Sequence, residues 1–125
     1  MLKTVGIGTR KYTEVFYKDD VGPGDVYHEY FISPAITRED TPAGEFGHVR
    51  FQNGPIGETG VNGCHNEDLL AIVIHRLQCF QAGEYGRYKC RENAIAITKL
   101  EEALMWLNKR TSDRIARGVE GTSNT

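Results

Sequence analysis

The longest stretch of helical periodicity runs from about Arg91 to Ala116, near the end of the sequence. Its apolar residues recur three or four positions apart and therefore line one face of an α-helix. They are Ile97, Leu100, Leu104 and Leu107. Because such a stripe is stable only against a second apolar surface, this segment requires a fold in which a long helix packs on another element.

A second apolar stripe precedes the long helix and supplies that surface. Its members are Leu69, Leu70, Val73, Ile74 and Leu77. Asn66 is the predicted N-cap of this helix, because the acidic residues after it suit a helix N-terminus. The two stripes predict an antiparallel hairpin with helices near 66–82 and 91–116, joined by a loop at Gln81–Lys89. The side chains expected to be buried are Leu69, Val73, Leu77, Ile97, Leu100 and Leu104.

Three apolar residues of the long helix, Ile95, Met105 and Trp106, lie partly off its stripe. This surplus surface predicts further packing, either on the N-terminal half or on another subunit. We expect the protein to be at least a dimer. Replacing Leu100 with Ala should cost about 2–5 kcal/mol if the side chain is in the core.

The first half of the chain is predicted to be β-structure from Thr4 to about Gln52. Aromatic and β-branched residues at Lys11–Lys18 and Val26–Ile32 flank the turn-rich segment DDVGPGD, which indicates a hairpin. In the second of these strands alternation places Tyr27, Glu29 and Phe31 on one face, and Val26, His28, Tyr30 and Ile32 on the other. A third strand is predicted at His48–Gln52, after a loop containing Pro34, Pro42 and Gly44.

The predicted class is therefore α+β, an N-terminal antiparallel β-region followed by a C-terminal antiparallel two-helix hairpin. With 125 residues the chain fits one domain, 1–125. Its parts are a β-rich region with a glycine-rich loop at 1–63, the hairpin at 64–118 and a frayed tail at 119–125.

The composition disfavours several classes of protein. A net charge of −2 is unlike that of most DNA-, RNA- or membrane-binding proteins, which are basic. The sequence has no signal peptide pattern and no run of apolar residues long enough to span a bilayer. Its three cysteines are an odd number and lack metal-ligand spacing, which is typical of a reduced, intracellular protein.

No catalytic constellation or cofactor motif is visible. Cys64 and His65 are adjacent, which is a poor arrangement for ligating one metal ion, so no metal is predicted. Glu101 and Glu102 point in different directions on a helix. His28 and His48 lie on predicted strands, either as packing residues or as ligand contacts. Because nothing combines a nucleophile, a base and an orienting group, an enzyme is not expected.

Two features suggest anion recognition. The start of the long helix offers backbone N–H groups and a positive dipole end, beside Lys89, Arg91 and Asn93, with Tyr85 and Tyr88 able to stack on a base. At its far end Arg110, Arg114 and Arg117 share one face, and arginine suits phosphate oxygens. The alternatives are a routine loop with solvated charges, and cations that complement the helix dipole, with Lys109 paired to Asp113.

The two features lie about 25 Å apart, because Asn93 and Arg110 are separated by seventeen positions of a helix. One nucleotide cannot reach both in a single chain. Either there are two sites, or an antiparallel dimer brings the start of one long helix beside the end of its partner.

Three segments resemble the phage Thoeris anti-defence sponge family: Phe51–Gly63 (FQNGPIGETGVNG), Asn66–Leu77 (NEDLLAIVIHRL) and Cys90–Thr122. A related hairpin occurs in the phage anti-CBASS sponge family, and the β-region before it favours the Thoeris type. The resemblance implies a phage- or prophage-encoded protein of the host cytoplasm that binds cyclic ADP-ribose signals of TIR-domain enzymes without cleaving them. It also implies dimers that assemble into a hexamer, a trimer of dimers.

The resemblance also implies which residues bind. Asn93 and Arg110 are the expected contacts to the ADP-ribose ligand, with Arg91 near them, and Phe80, Tyr85 or Tyr88 stacks on the adenine. The row of arginines adds Arg114 to this set. A separate site for cyclic di- or trinucleotides would use the loop residues Gln52, Asn53, Gly54 and Gly57, although Gly57 supplies no charge.

Three other functions remain open from the sequence. They are a sponge for cyclic oligonucleotides of CBASS defence, a nucleotide-cleaving enzyme, and a protein–protein interaction module without a nucleotide ligand. Recovery of intact ligand after denaturation would separate a sponge from an enzyme. Nucleotide that co-purifies with the protein, seen as excess absorbance at 260 nm, would separate a sponge from an interaction module.

Overall fold

A computed structural model describes residues 2–8, 11–22, 24, 26–35 and 46–125. The chain forms two compact units, Met1–Cys64 and His65–Thr125. The first contains a four-stranded antiparallel sheet and the second contains the long helices, so the predicted α+β class is confirmed. Among the described residues no helix is both long and apolar enough to cross a membrane.

The sheet follows chain order, with β1 at Leu2–Thr4, β2 at Thr13–Lys18, β3 at Glu29–Pro34 and β4 at Gly47–Arg50. The hairpin predicted around the DDVGPGD turn is confirmed by the β2–β3 pairing. The third predicted strand corresponds to β4. Pro34 ends β3, and the predicted loop positions Pro42 and Gly44 lie outside the described residues.

The register of the sheet fixes which side chains share a face. Phe16 of β2 pairs with Phe31 of β3, and Tyr17 pairs with Tyr30. Tyr27 was predicted to share a face with Glu29 and Phe31. This prediction was wrong, because the Tyr27 ring lies 4.5 Å from the ring of Tyr17, and Tyr17 pairs with Tyr30 on the other face. Strand alternation begins only at Glu29, since Tyr27 precedes the strand and forms an isolated bridge.

A short helix, α1, occupies Ile56–Thr59 within the predicted glycine-rich loop. Two long helices follow, α2 at Asn66–Ala82 and α3 at Arg91–Ala116, joined through a 3-10 turn at Gly83–Gly86. Both sets of bounds match the predicted hairpin. Asn66 is the first helical residue and not the N-cap. His65 holds that position because its backbone N–H donates to the Asp68 carboxylate over 2.8 Å.

The helices of the hairpin pack against each other through stripes close to those predicted. Five of the six expected residues are half-buried: Leu69, Leu77, Ile97, Leu100 and Leu104. Val73 is the exception, with 44% of its surface exposed, whereas its neighbour Ile74 is only 8% exposed. Consecutive helical positions differ by about 100°, so the face centred on Ile74 turns Val73 outward.

These neighbours allow a matched test of the helical packing. Ile74→Ala should destabilise the protein by about 2–5 kcal/mol, the usual range for a buried aliphatic side chain. Val73→Ala should cost clearly less, because most of what it removes already faces solvent. Urea unfolding followed by circular dichroism measures both, and equal losses would contradict the observed packing.

Candidate ligand site on the helical hairpin

The start of α3 is joined to the end of α2 by one side chain. The Gln81 amide donates to the Cys90 carbonyl over 3.1 Å and accepts from the Cys90 N–H over 3.0 Å. Cys90 is the N-cap of α3, and its Sγ accepts from the backbone N–H of Asn93 at 3.4 Å. The two hydrogen bonds between Gln81 and Cys90, here called the Gln81 clamp, fix the distance across the loop. They place Arg91 and Asn93 at the first turn of the helix.

Between the two ends of the clamp the chain takes a left-handed path. Glu84, Tyr85 and Gly86 have φ values of 49°, 58° and 79°. For the two non-glycine residues this conformation costs roughly 1–2 kcal/mol each. The strained turn leaves the Tyr85 ring fully exposed to solvent.

The other two aromatic candidates each have a guanidinium group over one ring face. The Arg87 guanidinium carbon lies 5.3 Å from the centre of the Tyr88 ring, and that of Arg76 lies 5.1 Å from the centre of the Phe80 ring. Such cation–π contacts order the rings, and both residues remain partly exposed, Phe80 by 39% and Tyr88 by 52%.

Arg91 and Asn93 differ in their surroundings. Arg91 is exposed and lines a shallow surface depression that also contains Ile95, Thr98 and Lys99. Asn93 is half-buried and follows the same side of α3 as Leu100. Neither side chain has a hydrogen bond or ion pair to any residue that the structure describes, so both keep their polar groups free for a ligand.

At the other end of α3, Arg110 lies in a second depression, lined also by Trp106, Lys109, Asp113 and Arg117. The expected Lys109–Asp113 pair is present, with 2.9 Å between Nζ and the carboxylate oxygen. Arg110 has no such partner within the described part of the chain. Its guanidinium, beside a Trp106 ring that is 63% exposed, therefore combines a free positive charge with an aromatic surface.

Arg114 differs from Arg110 because its guanidinium is hydrogen-bonded to other groups of the same chain. Its guanidinium donates to the Glu120 carboxylate at 3.1 Å. It also donates to three backbone carbonyls, those of Val119, Thr122 and Asn124, over 2.9, 3.0 and 2.9 Å. Since four of its five N–H donors are used and its side chain is only 12% exposed, Arg114 binds the tail. Residues 119–124 therefore turn back on the helix, where the sequence predicted a frayed tail.

The hydrogen bonds of Arg114 predict that the tail depends on this one side chain. Arg114→Gln should release residues 119–124, because a neutral amide cannot replace a guanidinium that holds three carbonyls and a carboxylate. Faster amide hydrogen exchange confined to this segment is the expected result. Arg110→Gln is the matched control, and equal exchange in the two variants would contradict the role of Arg114.

The loop residues expected to form a second site serve mainly to build the loop. The Gln52 amide nitrogen donates to the carbonyls of Gly54 and Gly60, and its oxygen accepts from the Asn62 N–H. Gly54 has a φ of 91°, which suits glycine. Gly57 is exposed on α1, and the Asn53 side chain has no hydrogen bond to a described residue.

Comparison with known proteins shows the family. A sequence model described as "Acb2/Tad1, hairpin domain" matches residues 45–112, more than half of the chain. The chain belongs to the Acb2/Tad1 hairpin family. It is also similar to a protein of Bacillus phage SBSphiJ7 named Thoeris anti-defense 1, with 47% identity across 90% of each chain.

The family resemblance predicted from the sequence is thus confirmed. The matched segment of this Acb2/Tad1 hairpin protein contains Phe80, Tyr88, Arg91, Asn93 and Arg110, and it ends before Arg114. Helix α3 keeps Asn93 and Arg110 about 25 Å apart within one chain, because seventeen positions of continuous helix separate them. The structure therefore groups the candidates into two clusters, one at each end of α3.

Two contributors were not identified from the sequence. No sequence motif marks Gln81 as the residue that holds the loop together, because its role depends on where α2 ends. Trp106 was read only as surplus apolar surface. Its position four residues before Arg110 places both on one side of a helix, and this spacing was the signal that could have linked them.

Proposed function

We propose that this protein is a phage anti-defence protein that binds and sequesters cyclic ADP-ribose signals of Thoeris defence in the host cytoplasm. Family membership and the name of its phage relative support the anti-defence role. The observation that carries the choice of ligand is the Arg110 guanidinium, which is exposed, without a partner among the described residues, and next to Trp106. A pyrophosphate linked to adenine would use both groups.

The two clusters on α3 become one site only if two copies of the chain contribute. We propose a dimer in which the Arg110 end of one α3 meets the Arg91 and Asn93 end of its partner. The other exposed apolar side chains of α3, Ile95, Met105 and Ile115, supply surface for this contact. Light scattering at micromolar concentration should give at least a dimer, and a monomer would exclude the shared site.

Sequestration differs from cleavage in the fate of the ligand. A cyclic ADP-ribose isomer incubated with excess protein should disappear from the free pool and return unchanged after heat denaturation. Chromatography of the supernatant measures both quantities. An altered product would indicate an enzyme, and a ligand that never leaves the free pool would exclude the proposed function.

The same assay separates the proposed ligand from cyclic oligonucleotides. We propose cyclic ADP-ribose as the ligand of the hairpin because Arg91, Asn93 and Arg110 are among the side chains at its ends that have no partner in the described residues. Cyclic di- and trinucleotides should therefore leave the affinity for cyclic ADP-ribose unchanged when added together with it. Competition between the two ligands would assign the hairpin to oligonucleotides.

A further inference from the structure

A cavity of about 200 Å³ lies at one end of the sheet in the N-terminal unit. Six residues line it: His28, Glu29, Arg50, Phe51, Asn53 and Asn62. Pockets for drug-sized ligands usually measure roughly 300–1,000 Å³. The cavity is therefore too small for a nucleotide and large enough for a small polyatomic ion.

His28 lines this cavity, and one polar atom of its ring has no partner among the described residues. Its Nε2 is buried and has no hydrogen-bond partner in the part of the chain that the structure describes. The ring lies directly over Gly22, where an added Cβ would be 2.2 Å from Nε2. Glycine at this position thus allows an arrangement in which a buried imidazole nitrogen faces no protein partner. A buried polar atom of this kind is favourable only when something supplies the missing hydrogen bond.

Glu29 and Arg50 carry opposite charges at the cavity, and Glu29 has further cationic partners. The Glu29 carboxylate already has two partners, since it hydrogen-bonds His48 Nε2 at 2.6 Å and lies 3.6 Å from Lys18 Nζ. The His48 hydrogen bond, together with the charges of Lys18, His48 and Arg50, lowers the pKa of Glu29 and keeps it ionised. Arg50 itself makes no hydrogen bond or ion pair to a described residue, so five guanidinium donors stay available.

Asn53 adds a further polar side chain. Its backbone is held by the Asn62 side chain, which accepts from the Asn53 N–H and donates to the Asn53 carbonyl, both over 2.8 Å. These bonds fix the loop and leave the Asn53 side-chain amide without a partner among the described residues. Three polar side chains without internal partners, His28, Arg50 and Asn53, therefore line one small cavity.

We propose that this cavity binds a small oxyanion, a phosphate or a carboxylate group, through Arg50, His28 and Asn53. The guanidinium fork pairs with two oxygens of the anion, and His28 Nε2 and the Asn53 amide donate to the oxygens at its sides. The Lys18 charge offsets that of Glu29, which would otherwise repel the ligand. All residues of this site belong to the N-terminal unit, and none is a candidate of the hairpin site.

The test is an NMR titration of the full chain, observing the side-chain nitrogens of His28 and Arg50, with inorganic phosphate in one series and acetate in another. We expect saturable shifts at both residues, with the tighter anion identifying a phosphoryl or a carboxylate ligand. Arg50→Gln should weaken binding roughly tenfold or more, and Asn53→Asp should do so by adding a like charge. Thermal unfolding checks that both variants are folded.

Lys11→Gln is the matched control, because it removes an exposed positive charge of the same unit that does not line the cavity, and it should titrate like the parent. Absence of saturable shifts at His28 with either anion would overturn the proposal, as would parent-like titration of Arg50→Gln. Arg50→Gln should retain its affinity for cyclic ADP-ribose. This result keeps a failure of the oxyanion site distinct from a failure of the proposed function.

Discussion

Arg110→Ala is expected to weaken the binding of cyclic ADP-ribose by about 30-fold to several thousand-fold, which corresponds to roughly 2–5 kcal/mol for a lost charged contact. The side chain has no partner to lose among the described residues of its own chain, so the stability of the hairpin should hardly change. Calorimetric titration measures the affinity. Arg110→Lys keeps the charge without the planar fork and should recover only part of the binding.

Asn93→Ala tests the other end of α3 and should also weaken binding sharply. Its backbone N–H, which bonds to Cys90 Sγ, survives the substitution, so the helix start should stay intact. Lys3→Ala, an exposed substitution in β1, serves as the control. If Arg110→Ala and Asn93→Ala both bound like the parent, the site assignment would be wrong even with sequestration established.

Gly63→Ala is expected to be the most damaging glycine substitution, with a loss of about 3 kcal/mol of unfolding free energy, the upper part of the range for overpacking. An added Cβ would lie 2.4 Å from the carbonyl carbon of Phe51 and 2.7 Å from the backbone nitrogen of Gln52. Backbone atoms cannot rotate away as a side chain can. Nearby bonds from Cys64 N–H to Arg50 and from Gln52 N–H to Cys64 would be displaced with them.

Chemical unfolding monitored through the aromatic residues of the sheet measures this loss. Gly6→Ala is the matched control in the same unit, because its added Cβ meets nothing within 4 Å. The control should unfold like the parent. A Gly63→Ala variant as stable as that control would mean that the contact between residue 63 and the Phe51 backbone does not form in solution.

The helices could be predicted from the sequence because periodic burial is a local property. The stripes that include Leu69, Ile74 and Leu100 locate α2 and α3 without knowledge of their surroundings. The N-cap of α2 and the orientation of Val73 could not be predicted in the same way. The first depends on the carboxylate of Asp68, and the second on which 100° sector of α2 meets α3.

The sheet and the site were harder to predict for a physical reason. Strand β1 has only three residues and exists through its pairing with β2, which leaves no periodic signal in the sequence. The arginine row was recognised, yet Arg110 and Arg114 look equivalent by spacing. Their difference arises from the tail, whose carbonyls occupy the Arg114 guanidinium and leave Arg110 free. These carbonyls reach Arg114 because the chain reverses direction after α3, and helical periodicity does not predict that reversal.

The Gln81 clamp has a consequence for how such a protein can evolve. Two hydrogen bonds between Gln81 and Cys90 hold the two ends of the interhelical loop together, whichever side chains stand between them. Substitutions at positions 84, 85, 87 and 88 can therefore accumulate without removing either hydrogen bond. On the proposed function, recognition of a new signal molecule can then arise by variation inside the loop.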